Sequence, residues 1–379
     1  MIYLDNAATS FPKPESVYLA LDQFARTSLA NPGRTSHRMA LTAEHLLKDT
    51  RHRLNQFFHG EGPERFAFTL NCTDGLNIAI KGALRQGDHV VTTNLEHNSV
   101  SRPLRALEVG GMISLTRVMA DEGGVVDPAA IQAALTPKTR LVAMCHASNV
   151  LGTIQPIAGI GRLARQRGIL FLVDAAQTAG VVPIDVQEMC IDLLAFPGHK
   201  SLLGPTGTGA LYVRSGVEIN PWREGGTGGN SADEIQPREW PFYLEGGTPN
   251  VLGLAGLGAG LQFLEDRGLA AIHRHEVELT ERLALRLDEL PGVTIYGHRD
   301  FTCRVGTLSF NLGAMSSSDV GNILDTSFDI AIRPGMHCAP YIHRALGTFP
   351  EGAVRVSPGL FNTADEIDRF ASALQEVAG

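Results

Sequence analysis

Four short segments of the chain hold side chains able to do covalent or ligand chemistry. The first is AFPGHKSLLGPTGTG (195–209), where an apolar run ends and Lys200 follows His199 in a glycine-rich setting. A lysine held at the end of a buried strand is desolvated, which lowers its pKa toward a usable amine, as Schiff-base chemistry requires. Most lysines are solvated surface charges, and this segment alone leaves that alternative open. The second segment is FLVDAAQ (171–177), an apolar strand ending in Asp174, with Gln177 just beyond. Ligands of open α/β sheets bind outside the carboxyl ends of strands, so both residues are placed to meet one, although an aspartate there is also a common helix cap. In the third, TLNCTDGLN (69–77), Cys72 and Thr73 open a helix. Their backbone N–H groups and the helix dipole suit a phosphate, and a simple N-cap explains them equally well. The fourth is IRPGMHCAP (332–340), where Cys338 follows His337 and lies near Arg333 in a turn set by Pro334 and Gly335. Nearby cations raise the thiolate fraction. A free cysteine is more often a small buried hydrophobe, but the polar, turn-rich surroundings favour exposure.

These residues must be positioned by a scaffold, and the apolar pattern supplies one. Strands are expected at 65–70, 89–93, 141–146, 169–173, 193–196 and 209–213, with helical spacing at 75–84 and 157–166 between them. Such alternation implies crossovers and a mostly parallel, buried sheet, an α/β architecture. Beyond Val251 the pattern changes to a long helix-prone segment (252–290), strands at 293–296 and 305–312 and a final helix at 364–377, which reads as a smaller α+β domain. The glycine-rich, polar stretch 225–239 reads as an ordered loop or lid.

Composition narrows the function classes. A chain of 379 residues with 44% hydrophobic and 19% charged residues can bury a large core, in two or three domains at roughly 150 residues each. The 32 Lys+Arg against 40 Asp+Glu lack the basic excess that supplies phosphate-backbone affinity, so no nucleic acid partner is expected. The long uncharged runs 141–161 and 246–264 are broken by polar residues, Pro or Gly, and no membrane helix is expected. The start, MIYLDNAA, lacks a basic and apolar leader, which reads as cytoplasmic. Five cysteines without CxxC pairing argue against a disulfide framework or a metal site. No P-loop is present, since GxxxxGK[ST] is absent and Lys200 precedes its glycines, and no GxGxxG follows an early strand.

Taken together, the motifs resemble the class V aminotransferase family of pyridoxal 5'-phosphate (PLP) enzymes, most closely its cysteine desulfurase and selenocysteine lyase branch. The likeness runs through YLDNAAT (3–9), NPGRTSHR (31–38), LEHNS (95–99), HASNVLGTIQPI (146–157), VDAAQTAG (173–180), GHKSLLGPTGTGALYV (198–213), EGGTPN (245–250), RPGMHCAP (333–340) and VRVSPGLFNT (354–363). It implies PLP-dependent transferase fold type I, with a large PLP-binding domain at 16–250 and a small domain formed by 1–15 and 251–379. It also implies roles. Lys200 would carry PLP and shuttle a proton, Asp174 would pair with the pyridinium nitrogen, and Gln177 and Asn149 would contact the ring oxygen. His97 would stack on the ring, with a second task in proton transfer. Cys72, Thr73, His199 and, from the other subunit of a homodimer, Thr248 would hold the phosphate. Arg355 would clamp the substrate carboxylate, with Arg333, Asn149, His37 and Asn31 nearby. Cys338 would take sulfur from a small amino-acid substrate, L-cysteine, as a persulfide and leave L-alanine. The RxGxHC setting resembles the SUF-type group, whose short catalytic loop suggests a small sulfur-acceptor protein as partner.

The chain departs from the commonest desulfurase pattern at Pro197, where a serine hydroxyl often joins the phosphate cup, and at Cys72 and Asp74, where Thr and Glu are usual. The compact sequence after Cys338 leaves little room for partner-docking insertions. These departures imply a divergent subgroup. Alternatives within the resemblance are a selenocysteine lyase, or another PLP-dependent aminotransferase or C–S lyase in which Cys338 is incidental. A sulfur-relay protein without catalysis is disfavoured by the presence of Lys200, Asp174, Gln177, Arg355 and Cys338 together.

Overall fold

The computed structural model describes residues 1–33, 37–227 and 232–378. Part of the NPGRTSHR motif and of the 225–239 loop therefore lies outside the described residues. The chain runs β1 (Ile2–Tyr3), α1 (Glu15–Thr27), α2 (Arg38–Phe57), β2 (Phe66–Thr69), α3 (Cys72–Ala83), β3 (Asp88–Thr93), α4 (Asn98–Val109), β4 (Ile113–Val118), α5 (Pro128–Ala134), β5 (Thr139–Cys145), α6 (Ile157–Gln166), β6 (Leu170–Asp174), β7 (Leu193–Pro197) and β8 (Gly209–Val213). It continues through α7 (Val251–Arg267), α8 (Leu269–Asp288), β9 (Val293–Tyr296), β10 (Leu308–Leu312), α9 (Ser317–Phe328), β11 (Ile330–Ala331), β12 (Arg333–Gly335), α10 (Pro340–Ala345), β13 (Ala353–Val356) and α11 (Ala364–Ala378).

Seven strands form the main sheet in the order β2-β8-β7-β6-β5-β3-β4, parallel except that β8 runs against both β2 and β7. Strands β6, β7 and β8 are buried at every residue, which is why they read as unbroken apolar runs and not as alternating ones. Their side chains still alternate between two cores. Leu170, Leu172, Leu193 and Ala195 pack with Leu76 of α3 and Leu104 of α4, whereas Phe171, Val173, Leu194 and Phe196 pack with Ile160 of α6 and Leu257 of α7. Strand β4, not among the expected strands, is an edge strand whose Ser114, Thr116 and Arg117 interrupt any apolar run.

The second sheet is antiparallel, in the order β12-β13-β10-β9. Its core draws on α8, α9 and α11, and also on Ile2 and Leu4 at the start of the chain, because β1 pairs in parallel with β11. The segment expected as one long helical stretch is two helices, broken at Gly268, whose φ of 81° suits glycine. Helix α7 packs on α1 and α2 and lends Leu254, Leu257, Leu261 and Leu264 to the core beneath the main sheet.

Two glycines bring the elements around Lys200 into close approach. A Cβ at Gly260 of α7 would lie 2.4 Å from the Leu202 carbonyl, and one at Gly180, where φ is 97°, would lie 2.2 Å from the Ser201 carbonyl. Gly180→Ala is therefore expected to cost about 2–4 kcal/mol, the sum of a left-handed backbone and an overlap that main-chain atoms must absorb. Urea denaturation checks this, and a loss below about 0.5 kcal/mol would show that the two loops do not interlock as described.

Candidate active site

Five loops leave one edge of the main sheet and carry most of the residues singled out in the sequence. Strand β2 leads to Cys72 and Thr73, β3 to Glu96 and His97, β5 to Asn149, β6 ends on Asp174 with Gln177 just after, and β7 leads to His199 and Lys200. All lie at strand carboxyl ends, where crossover connections leave room for a ligand. The second sheet supplies Arg355 from β13 and Arg333 from β12, with Cys338 in the turn between β12 and α10.

Lys200 sits within reach of both charge signs. Burial, then the positive charge of Arg355, pulls its pKa down to about 8, with Asp174 and Cys72 opposing and Arg333 assisting. At pH 7.5 this leaves on the order of 10²-fold more neutral amine than an ordinary lysine. The rate at which Lys200 captures an aldehyde should accordingly rise with pH and level off above about 8. A rise that continues to pH 10 in a stopped-flow titration would contradict the desolvated setting.

Asp174 is 5% exposed, accepts the Ala176 N–H at 2.9 Å, and receives the Cys72 thiol at 3.4 Å. Burial and this carboxylate push the Cys72 thiol well above its usual pKa, so Cys72 is a neutral donor. His97 caps α4: its Nδ1 accepts the Ser99 N–H at 3.1 Å and meets Ser99 Oγ at 2.8 Å, and Ser99 Oγ in turn meets Thr73 Oγ1 at 2.7 Å. Burial holds His97 down to about 4, against the pull of Asp174 and with Lys200 and Arg333 adding to the fall, so the ring is neutral.

Arg355 is 1% exposed. It donates to the Asn149 carbonyl at 3.0 Å and to Asp5 Oδ1 at 2.7 Å, while its Nε has no partner among the described residues. Cys338 is partly exposed and lies 3.8 Å from Arg333 Nη2. The turn that carries it is pinned: Asn149 Nδ2 donates to the His337 carbonyl and the Asn98 N–H to the Cys338 carbonyl, both at 2.7 Å. His337 and Cys338 both adopt left-handed backbone, with φ of 48° and 57°. Gln177 donates to the Ala7 carbonyl at 3.2 Å.

Lys200, Asp174, Cys72, His97, Arg333, Arg355 and Cys338 thus form one electrostatic cluster, with Asn149, Gln177, Thr73 and His199 on its loops. Asn31, His37 and Thr248 are not drawn into it. Asn31 and Thr248 are exposed and line a separate cavity of ≈ 820 Å³ whose wall includes no member of the cluster, and His37 caps α2. The sequence reading passed over Asp5, Lys13 and Ser99. Asp5 belongs to the YLDNAAT motif, but its partner stands 350 positions away, a separation that no local pattern carries.

The donor set suits a phosphorylated pyridine aldehyde. His199 Nδ1 is buried without a partner among the described residues, and the amides of Cys72 and Thr73 open α3, where helix geometry leaves the first N–H groups free of intrahelical acceptors. The side chain of Asn71 already caps the Asp74 N–H. Pro197 pairs with Gly209 at the end of β7 and adds no hydroxyl, so His199 and the α3 amides are candidate donors that these two loops supply.

A family model described as aminotransferase class-V matches residues 2–370. The chain belongs to the class-V aminotransferase family. A relative from Methanothermobacter thermautotrophicus named a probable cysteine desulfurase is 38% identical over 386 residues, covering 100% of this chain and 95% of the relative. A cysteine desulfurase of Escherichia coli (strain K12 / DH10B) is 34% identical over 386 residues, covering 100% and 93%. Among solved structures, the apo form of a cysteine desulfurase from Thermococcus onnurineus NA1 matches with a TM-score of 0.94 at 35% identity, over 100% of this chain and 94% of that one. This class-V fold is the fold type I expected from the motifs, with its mostly parallel central sheet. Among the described residues no helix is long and apolar enough to cross a membrane.

Proposed function

We propose that this class-V family member is a PLP-dependent cysteine desulfurase that converts L-cysteine to L-alanine and leaves the sulfur as a persulfide on Cys338. The observation that carries the reading is the accessible Cys338 thiol beside Arg333, in one cluster with Lys200, Asp174 and Arg355. Relatives named cysteine desulfurase along the whole chain support it.

When bound, the cofactor supplies an electron sink for negative charge at the substrate Cα. Lys200 would hold it and move the Cα proton. Asp174 would keep a proton on the ring nitrogen, Gln177 and Asn149 would meet the ring oxygen, and neutral His97 would lie against the ring face. The phosphate would take the α3 amides of Cys72 and Thr73, the orphaned His199 Nδ1 and Thr248 of the partner subunit. The Nε of Arg355, without a partner among the described residues, offers the substrate carboxylate a donor, and Arg333 would serve the same substrate; Asn31 and His37, which lie outside the Lys200 cluster, would reach it only from the partner subunit. The Cys338 thiolate attacks the substrate sulfur, forming the S–S bond as the C–S bond breaks. The carbon fragment gains the proton that makes alanine. Cysteine and one enzyme thiol thus become alanine and one enzyme persulfide, without an external oxidant.

The exposed position of Thr248, away from the Lys200 cluster, supports a homodimer with composite sites. The reading further takes residues 16–250 as the PLP-binding domain and 1–15 with 251–379 as the small one, with a cytoplasmic location. The pinned turn holding Cys338 favours a small acceptor protein that comes to the persulfide. Simultaneous assay of alanine and sulfide from L-cysteine with a reductant tests the activity. Equal amounts of both are expected, and the absence of either product would refute it.

A further inference from the structure

The segment from Thr9 to Lys13 is bound to the main chain that carries Lys200. The carbonyl of His199 receives the Lys13 ammonium at 2.7 Å, Thr9 Oγ1 at 3.0 Å, the Ser10 N–H at 3.2 Å and Ser10 Oγ at 3.3 Å. Ser10 Oγ lies closer to the Lys200 carbonyl, at 2.8 Å, and receives Lys13 Nζ at 2.6 Å. Lys13 therefore acts on both carbonyls: directly on His199, and through the Ser10 hydroxyl on Lys200. Among these donors only Lys13 is charged, and charge-assisted hydrogen bonds are roughly twice as strong as neutral ones. Burial lowers Lys13 from 10.5 to about 8, a cost an ammonium in open solvent would not meet. The ammonium also depresses His199, whose pKa falls to about 4 through burial, Lys200 and Lys13 in that order.

We propose that Lys13 is a positioning residue of the active site, fixing the His199–Lys200 main chain so that the imidazole and the amine are aimed before any ligand arrives. The cofactor part of this inference rests on the PLP reading above; the main-chain part does not. Just upstream, the same N-terminal stretch holds Arg355 through Asp5 and Gln177 through the Ala7 carbonyl, so with His199 and Lys200 it reaches four of the residues assigned to that chemistry.

The test compares wild type with Lys13→Met, which removes the charge, and Lys13→Gln, which keeps a neutral donor. Deuterium exchange is measured on the cofactor-free full chain, in peptides covering residues 198–204, where the Leu203 and Gly204 amides are bonded back to the Lys200 and Gly198 carbonyls. Lys13→Met should speed exchange there at least tenfold while the peptides of β5 and β6 stay as in wild type, and Lys13→Gln should fall between. The dissociation constant for PLP, read by fluorescence on the same cofactor-free proteins, should rise at least tenfold in Lys13→Met. Unchanged exchange in 198–204, or a uniform rise across the chain, would overturn the positioning role. A PLP constant within twofold of wild type would overturn its bearing on the cofactor. If wild type itself takes up no PLP, the functional reading fails while the exchange result still decides the role of Lys13.

Discussion

Lys200→Ala should give a folded protein with at least 10⁴-fold less turnover that, free of cofactor, is more stable than wild type at neutral pH. The first half follows from the role proposed for Lys200, holding the cofactor and moving the Cα proton. The second follows from linkage. The folded-state pKa of Lys200, about 8, lies below the ordinary 10.5, so between these values the native state binds fewer protons than the unfolded chain. Lys200 therefore costs stability below pH 8, where it must be charged beside Arg355 and Arg333, and that cost fades as pH rises toward 10.5. Removing it should gain on the order of 1–3 kcal/mol at pH 7, allowing for partial solvent access, and almost nothing at pH 10.5. Urea unfolding of the cofactor-free proteins at the two pH values, with kcat measured in parallel, checks both halves. Turnover within tenfold of wild type would remove Lys200 from the chemistry, and an equal stability gain at both pH values would show that packing, not charge, is responsible.

This is also where the sequence was most informative. Lys200, Asp174 and Cys72 each end or closely follow a buried strand, and the physics that makes such strands readable as apolar runs also places their carboxyl ends together at one edge of the sheet. Residues bound to the site across long chain separations were not legible in this way. Asp5 meets Arg355 across 350 positions and Lys13 meets His199 across 186, and nothing in either segment announces its partner. The assignments of Arg355, His97 and Thr248 came from family resemblance and not from local pattern. The structure brings the first two into the Lys200 cluster and leaves Thr248 exposed in a different cavity. Strand β4 and the break at Gly268 were missed for local reasons: an edge strand need not be apolar, and one glycine between two helix-prone segments changes the period little.

Cys338→Ala should lower alanine and sulfide formation from L-cysteine at least 10³-fold while leaving selenium release from L-selenocysteine within about fivefold, the expectation if the weaker carbon–selenium bond breaks without attack by the thiol. Two thiols belong to the cluster, and the structure separates their chemistry. Cys72 is 8% exposed, points at the Asp174 carboxylate and is held neutral, so it cannot stand in as nucleophile. Cys338 is partly exposed and lies 3.8 Å from Arg333 Nη2, with no carboxylate hydrogen-bonded to it among the described residues. Its turn is fixed by Asn149 and Asn98 at the His337 and Cys338 carbonyls, contacts that alanine keeps, and alanine meets the φ of 57° with the same Cβ as cysteine. The substitution therefore removes a sulfur atom and little else, so a lost rate reports chemistry and not folding. Equal loss on both substrates would make Cys338 a structural residue. Full activity on L-cysteine would mean that sulfur leaves without a protein acceptor, and the short pinned turn would then have another task.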